Sequence, residues 1–224
     1  MNLHVFGCSL THRETWKNSV ASALNINLVD YSDGAASNCL MIKRFHYCVL
    51  EDLINKNDII IWQITFPRIS LRWIDNSHNR QKLEEFESPS FSYYNYVIKS
   101  KNFFDNQYRI DLLDNHPLIT NQMHIDLDHC QDLETLTANL VLAKKMYPKL
   151  LVLLGWKDVI HCDYETKFWK KIEEHNIDCI KTPILNWIID HDLPLIDDGH
   201  PTASSSLLYG EKVVVPKLQQ LKWQ

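Results

Sequence analysis

The sequence predicts an α/β fold with a central parallel sheet of about five strands, and three observations carry that expectation. Short apolar runs alternate with amphipathic stretches along the chain. Two of those runs, Ile59-Ile60-Ile61-Trp62 and Leu150 to Leu154, are apolar at every position, as strands covered on both faces must be. The composition is that of a packed protein, with 45% of the 224 residues hydrophobic. This length holds one domain with a full core, so a single domain over 1–224 is expected.

The elements follow in order. Leu3 to Phe6 reads as the first strand. Glu14 to Leu24 reads as a helix, with Trp16, Val20, Ala21 and Leu24 on one face. Asn27 to Tyr31 is a second strand, and Asp33-Gly34 turns the chain into a helix capped by Ser37 or Asn38 and running to about Ile54. Asp58 to Thr65 is the third strand, stopped by Pro67. From about 67 to 128 the rhythm breaks into a polar, aromatic stretch. It reads as an insertion after strand three, partly helical, that either covers a site or is a decoration filled by its own aromatics. Regularity returns with a helix over Asp132 to Met146, a strand at Leu150 to Leu154, a helix over Tyr164 to His175, a fifth strand at Cys179-Ile180 and a last helix over Ala203 to Leu218.

Charge and cysteine usage narrow the function classes. There are 23 basic and 28 acidic residues, a net charge of -5, and no basic cluster beyond short pairs, so no nucleic-acid footprint is expected. No apolar run approaches the length needed to span a bilayer. The six cysteines form no CxxC pair and read as reduced and buried. With no charged leader and apolar segment ahead of the first strand, a cytoplasmic protein is expected.

Two segments can carry chemistry. Gly7-Cys8-Ser9-Leu10-Thr11 follows the first strand, and in open α/β sheets ligands bind beyond the carboxyl ends of the strands. Ser9 there is either a nucleophile or merely a helix cap. Asp197-Asp198-Gly199-His200-Pro201 lies near the other end. A tight turn can set Asp197 against one imidazole nitrogen of His200, leaving the other to take a proton from a hydroxyl. The bland alternative is a polar loop with a capping aspartate.

Taken together, GCSLT and DDGHP resemble the first and last sequence blocks of the SGNH hydrolases, the GDSL esterases. The resemblance implies a three-layer α/β/α flavodoxin-like fold. It also implies a triad in which Ser9 attacks an ester carbonyl, His200 serves as general base and then acid, and Asp197 orients His200. An oxyanion hole needs preorganised donors. The backbone N–H of Ser9 and that of Gly34, which matches the family's second-block glycine, are two. The family's Gly-x-Asn-Asp block has no counterpart: Trp62-Gln63-Ile64-Thr65-Phe66 stands there, leaving Gln63, Thr65 or Asn38 as side-chain donors. Arg68 could bind a substrate anion or be an ordinary surface residue.

The resemblance implies hydrolysis of an acyl ester, with acetate on a carbohydrate as the first expectation, and hence a small-molecule or glycan ester as the partner. An O-acyltransferase using the same triad and a non-catalytic binding protein on a degenerate hydrolase scaffold are the alternatives. No cofactor and no metal are expected. The 11 histidines include a cluster from His124 to Cys130, but no HExxH or paired-cysteine pattern organises it. The phosphate-binding glycine loops and the GxSxG elbow are missing from the sequence too.

Overall fold

A computed structural model describes residues 1–12, 15–33, 38–65, 99–102, 107–109, 129–156, 165–197 and 199–221. The chain divides into two compact units, one formed by Met1–Pro67 with His129–Gln224 and the other by Arg68–Asp128. The second unit coincides with the expected insertion. Its described part is an antiparallel pair, β4 (Lys99–Asn102) and β5 (Gln107–Arg109), and the helix expected in part of it lies outside the described residues.

The first unit carries five parallel strands: β1 (Asn2–Phe6), β2 (Asn27–Asp30), β3 (Ile59–Ile64), β6 (Leu150–Leu154) and β7 (Asp178–Ile180). Their spatial order is β2-β1-β3-β6-β7. After β1 the chain adds β2 on one side and then β3 on the other, so the order reverses beside β1. A crevice opens at such a point beyond the strand ends. Every residue of β3 and β6 is buried, which explains their unbroken apolar runs.

Helices cover both faces. On one, Phe6, Ile60, Trp62, Ile64, Leu150, Val152 and Leu154 pack against α3 (Asn38–Leu50), α4 (His129–Met146) and α5 (Glu165–Glu174) through Phe45, Leu136, Leu140 and Phe168. The alternate side chains of the same strands, Val5, Ile61, Leu151 and Leu153, are equally buried and point the other way. Trp16 and Val20 of α2 (Trp16–Leu24) and Tyr209, Val214 and Leu218 near the C-terminus supply buried residues to that second layer.

Three boundaries depart from the sequence expectation for identifiable reasons. Helix α3 ends at Leu50, not near Ile54, because Asp52 turns left-handed (φ 51°) and the Leu53 N–H closes on the Cys48 carbonyl at 2.8 Å. A short helix, α6 (Ile184–Asp190), follows β7 and was not anticipated. The last helix is interrupted: α7 (Ala203–Tyr209) passes through a π-helical turn at Gly210–Val214 into α8 (Val215–Gln220). Pro216 has no N–H to give to an i−4 carbonyl, and the widened turn before it accommodates that loss.

Candidate active site

The turn after β1 sits at the crevice. Ser9 opens a four-residue helix, α1 (Ser9–His12), with the Thr11 and His12 N–H groups both donating to the Cys8 carbonyl at 2.8 Å. Buried side chains from other elements hold this turn at both ends. At its N-terminal side, Gln63 Oε1 accepts from the Cys8 N–H (3.1 Å), the Thr11 hydroxyl (2.9 Å) and the Cys8 thiol (3.3 Å). At its C-terminal side, the Lys17 ammonium donates to the Thr11 carbonyl (2.6 Å) and the His12 carbonyl (2.8 Å), two of the end carbonyls that a helix cannot satisfy itself. The third Lys17 donor goes to the Asp30 carboxylate, whose other oxygen accepts from the Ser32 N–H (2.9 Å) and the Ser32 hydroxyl. A buried ammonium is tolerated only when paired and fully hydrogen-bonded, and Lys17 meets both conditions.

His200 arrives from the opposite end of the chain. The loop that carries it is closed by a bridge between Leu195 and Pro201 and by the Ile196 N–H donating to the His200 carbonyl (2.8 Å). Inside it the Gly199 N–H donates to the Ile196 carbonyl (2.9 Å), and Gly199 takes a φ of 81°, a conformation glycine adopts without strain. Behind the loop, the Thr202 hydroxyl caps α7 by accepting from the Ser205 N–H (3.2 Å), and the Ser205 hydroxyl donates to the Pro194 carbonyl (2.7 Å). Ser206 Oγ then accepts the Thr15 and Trp16 N–H groups at 3.1 Å each, and the Thr15 hydroxyl donates to the Ala203 carbonyl at 2.6 Å. The helix after His200 is thereby tied to the helix after Ser9. The result is a His200 Nε2 to Ser9 Oγ separation of 2.9 Å between half-buried side chains.

The other anticipated residues have different surroundings. Asp197 lies exposed on the His200 loop. Asn38 and Thr65 are buried and join at the end of β3: the Thr65 N–H donates to Asn38 Oδ1 and Asn38 Nδ2 donates to the Thr65 carbonyl, both at 3.1 Å. The Thr65 hydroxyl is enclosed and has no hydrogen-bond partner among the described residues. Gln63 is fully buried with its Nε2 donating to the Ile64 carbonyl at 2.9 Å, so its amide is turned into the molecule rather than toward a substrate. Gly34, Arg68 and the His124 to Cys130 cluster lie outside the described residues or side chains. Trp16 is a core anchor, its indole N–H donating to the Leu10 carbonyl at 3.0 Å.

Sequence reasoning missed Lys17, Thr11 and Ser206. A signal existed for the first: Lys17 follows the buried Trp16 on a helix whose other charged positions are absent, a misfit that calls for a partner.

The sequence matches no family model and no curated protein. The fold is nevertheless similar to that of known structures. A member of the lipolytic protein G-D-S-L family from Veillonella parvula superposes with a TM-score of 0.55 at 15% identity, over 99% of this chain and 100% of that one. Axe2, an acetylxylan esterase from Geobacillus stearothermophilus, superposes with a TM-score of 0.53 at 11% identity, over 99% and 95%. The chain therefore has the three-layer fold of the SGNH, or G-D-S-L, hydrolases, as its terminal motifs led one to expect.

Proposed function

We propose that this protein is a serine hydrolase of the SGNH type that cleaves an acyl ester through Ser9, His200 and Asp197. The observation that carries the reading is the 2.9 Å approach of His200 Nε2 to Ser9 Oγ at the carboxyl end of β1, made by residues from opposite ends of the chain. A serine that only capped a helix would need no such partner.

The chemistry follows from that contact. In the neutral tautomer with the proton on Nδ1, Nε2 has a lone pair directed at the Ser9 hydroxyl. As Ser9 Oγ attacks the ester carbonyl carbon, its proton passes to Nε2. The imidazolium then returns that proton to the leaving alkoxide, and an acyl-enzyme remains. Water, deprotonated by Nε2, attacks the acyl carbon and restores Ser9. Asp197, three residues earlier on the loop, orients the ring and favours its charged form in the transition state. The Ser9 N–H is one oxyanion donor and the Gly34 N–H another. Of the three side-chain candidates, Thr65 is assigned the third, which requires its enclosed hydroxyl to turn to the site when the ester binds. The Gln63 amide is committed inside the molecule and the Asn38 amide clamps the Thr65 backbone, whereas the Thr65 hydroxyl has a donor to give.

An acetyl ester, on a carbohydrate, is the substrate class favoured here, because the acetylxylan esterase shares the fold over nearly the whole chain. The test is labelling of the purified protein with a fluorophosphonate beside Ser9→Ala and His200→Ala, together with turnover of p-nitrophenyl acetate. Ser9-dependent labelling and turnover are expected; a protein that neither labels nor turns over is a binding protein on a hydrolase scaffold. Added alcohol acceptors identify an acyltransferase if transfer outruns hydrolysis.

A further inference from the structure

Gln63 stands where an oxyanion donor was expected, yet every described contact of its side chain points behind the nucleophile. Its Oε1 receives three donors, all from residues flanking Ser9: the Cys8 N–H, the Cys8 thiol and the Thr11 hydroxyl. Its Nε2 is held by the Ile64 carbonyl. The slot it occupies is made by two glycines at neighbouring strand ends. A Cβ on Gly7 would lie 2.9 Å from Gln63 Oε1 and 2.4 Å from the Thr11 hydroxyl, and one on Gly155 would lie 2.3 Å from Gln63 Nε2. The ends of β1, β3 and β6 are thus shaped around one amide. Both residues that donate to Oε1 bracket Ser9, so a displacement of Oε1 moves the backbone from which Ser9 Oγ projects toward His200.

We infer that Gln63 is a positioning residue: through Cys8 and Thr11 it sets the Ser9 turn at the distance His200 requires. The inference rests on the proposed role of Ser9 for its catalytic consequence, but its structural content does not. An amide is needed in particular, because the site presents donors on one side and a carbonyl on the other. A leucine satisfies neither. A carboxylate satisfies the donors but repels the Ile64 carbonyl, whereas a protonated carboxyl satisfies both.

The experiment compares the full chain with Gln63→Leu, Gln63→Glu, the milder Thr11→Val and Ser9→Ala, with folding followed by circular dichroism. Fluorophosphonate labelling is resolved into an inactivation rate and a binding constant. Gln63→Leu is expected to lower the inactivation rate at least tenfold with the binding constant nearly unchanged, and Thr11→Val to do so less. The ratio of Gln63→Glu to wild-type rate is expected near one in acid and to fall at least tenfold as the pH rises. The 15N shifts of the His200 imidazole, assigned with His200→Gln, give a readout independent of reactivity. Gln63→Leu or Thr11→Val should move them toward the Ser9→Ala values. If a folded Gln63→Leu or Thr11→Val protein keeps the wild-type His200 shifts, or the Gln63→Glu ratio is flat with pH, the inference is overturned. A wild-type protein that does not label at Ser9 sinks the proposed function instead, and the His200 shifts still decide the role of Gln63.

Discussion

Each end of the sheet has a histidine beside a hydrogen-bonding partner, and the two pairs have opposite characters. At the amino end, His4 Nε2 lies 3.1 Å from Asp58 Oδ2, and both side chains are buried. Asp58 also accepts from the Asn2 N–H (2.7 Å), the Asn55 N–H (2.9 Å) and the Asn55 side chain (3.3 Å). His4 stacks on Tyr31 with ring centroids 5.9 Å apart. Burial drives the His4 pKa down, against the pull of Asp58. Burial alone would raise the Asp58 carboxyl, but the hydrogen bonds from Asn55, Asn2 and His4 outweigh it and hold the group at about 2. The pair is a fixed lock between β1 and the turn entering β3. At the carboxyl end, His200 and Ser9 are half-buried, on a turn and a loop that face the crevice. Enclosure, with the Asp58 carboxylate held by donors from Asn2, Asn55 and His4, makes a structural pair; partial exposure leaves the other pair accessible from outside.

That contrast can be broken by experiment. The largest effect is expected at the carboxyl end: Ser9→Ala or His200→Ala should reduce ester turnover by about 10⁴-fold or more, with urea midpoints within about 0.5 kcal/mol of wild type. Equal losses of stability and turnover would show that the pair is a structural lock like the other. At the amino end the pattern should invert. Asp58→Asn leaves the Asn2 and Asn55 donors poorly matched and should cost about 3 kcal/mol in urea unfolding, while Ser9 labelling per folded molecule is unchanged.

The same pair predicts an acid response. Because the folded His4 resists protonation, stability should decline as pH falls below about 6.5, where the unfolded chain takes up that proton. The Asp58 contribution is present above the unfolded carboxyl value near 4 and is lost as pH falls through about 2, on the order of 2 kcal/mol in all. Urea midpoints measured from pH 7 to 3 should show the His4 decline and the onset of the Asp58 loss in wild type. His4→Gln should remove the first and Asp58→Asn the second. The smallest effect sharpens the assignment at the crevice. Thr65→Val should lower kcat for p-nitrophenyl acetate by about tenfold while leaving stability equal or slightly higher, since the hydroxyl it removes is buried without a partner. A wild-type kcat would make that hydroxyl a packing feature only.

The parts of this protein most legible in its sequence were those where one physical demand acts on consecutive residues. Strands β3 and β6 are covered on both faces, so no polar residue interrupts them before Gln63. Ser9 and His200 drew notice in the sequence because each lies close to a glycine in a short polar segment. What stayed hidden depends on residues distant in the chain. Gln63 reads as a possible donor until Gly7 and Gly155 are seen to form its slot. Lys17 reads as a surface residue until the Thr11 and His12 carbonyls and Asp30 surround its ammonium. Helix α6, only seven residues long, lacks the repeated apolar spacing that reveals longer helices.

The cap that Ser206 places on the helix after Ser9 has a consequence in time. The contact between Ser9 and His200 spans 191 positions, so the Ser9 turn leaves the ribosome long before the His200 loop. Strands β1 to β3 can pair while the chain is still growing. A nascent chain in this state holds Ser9 without His200, and the Thr15 and Trp16 amides wait for Ser206. Docking of α7 on α2 is thus the event on which the proposed chemistry waits.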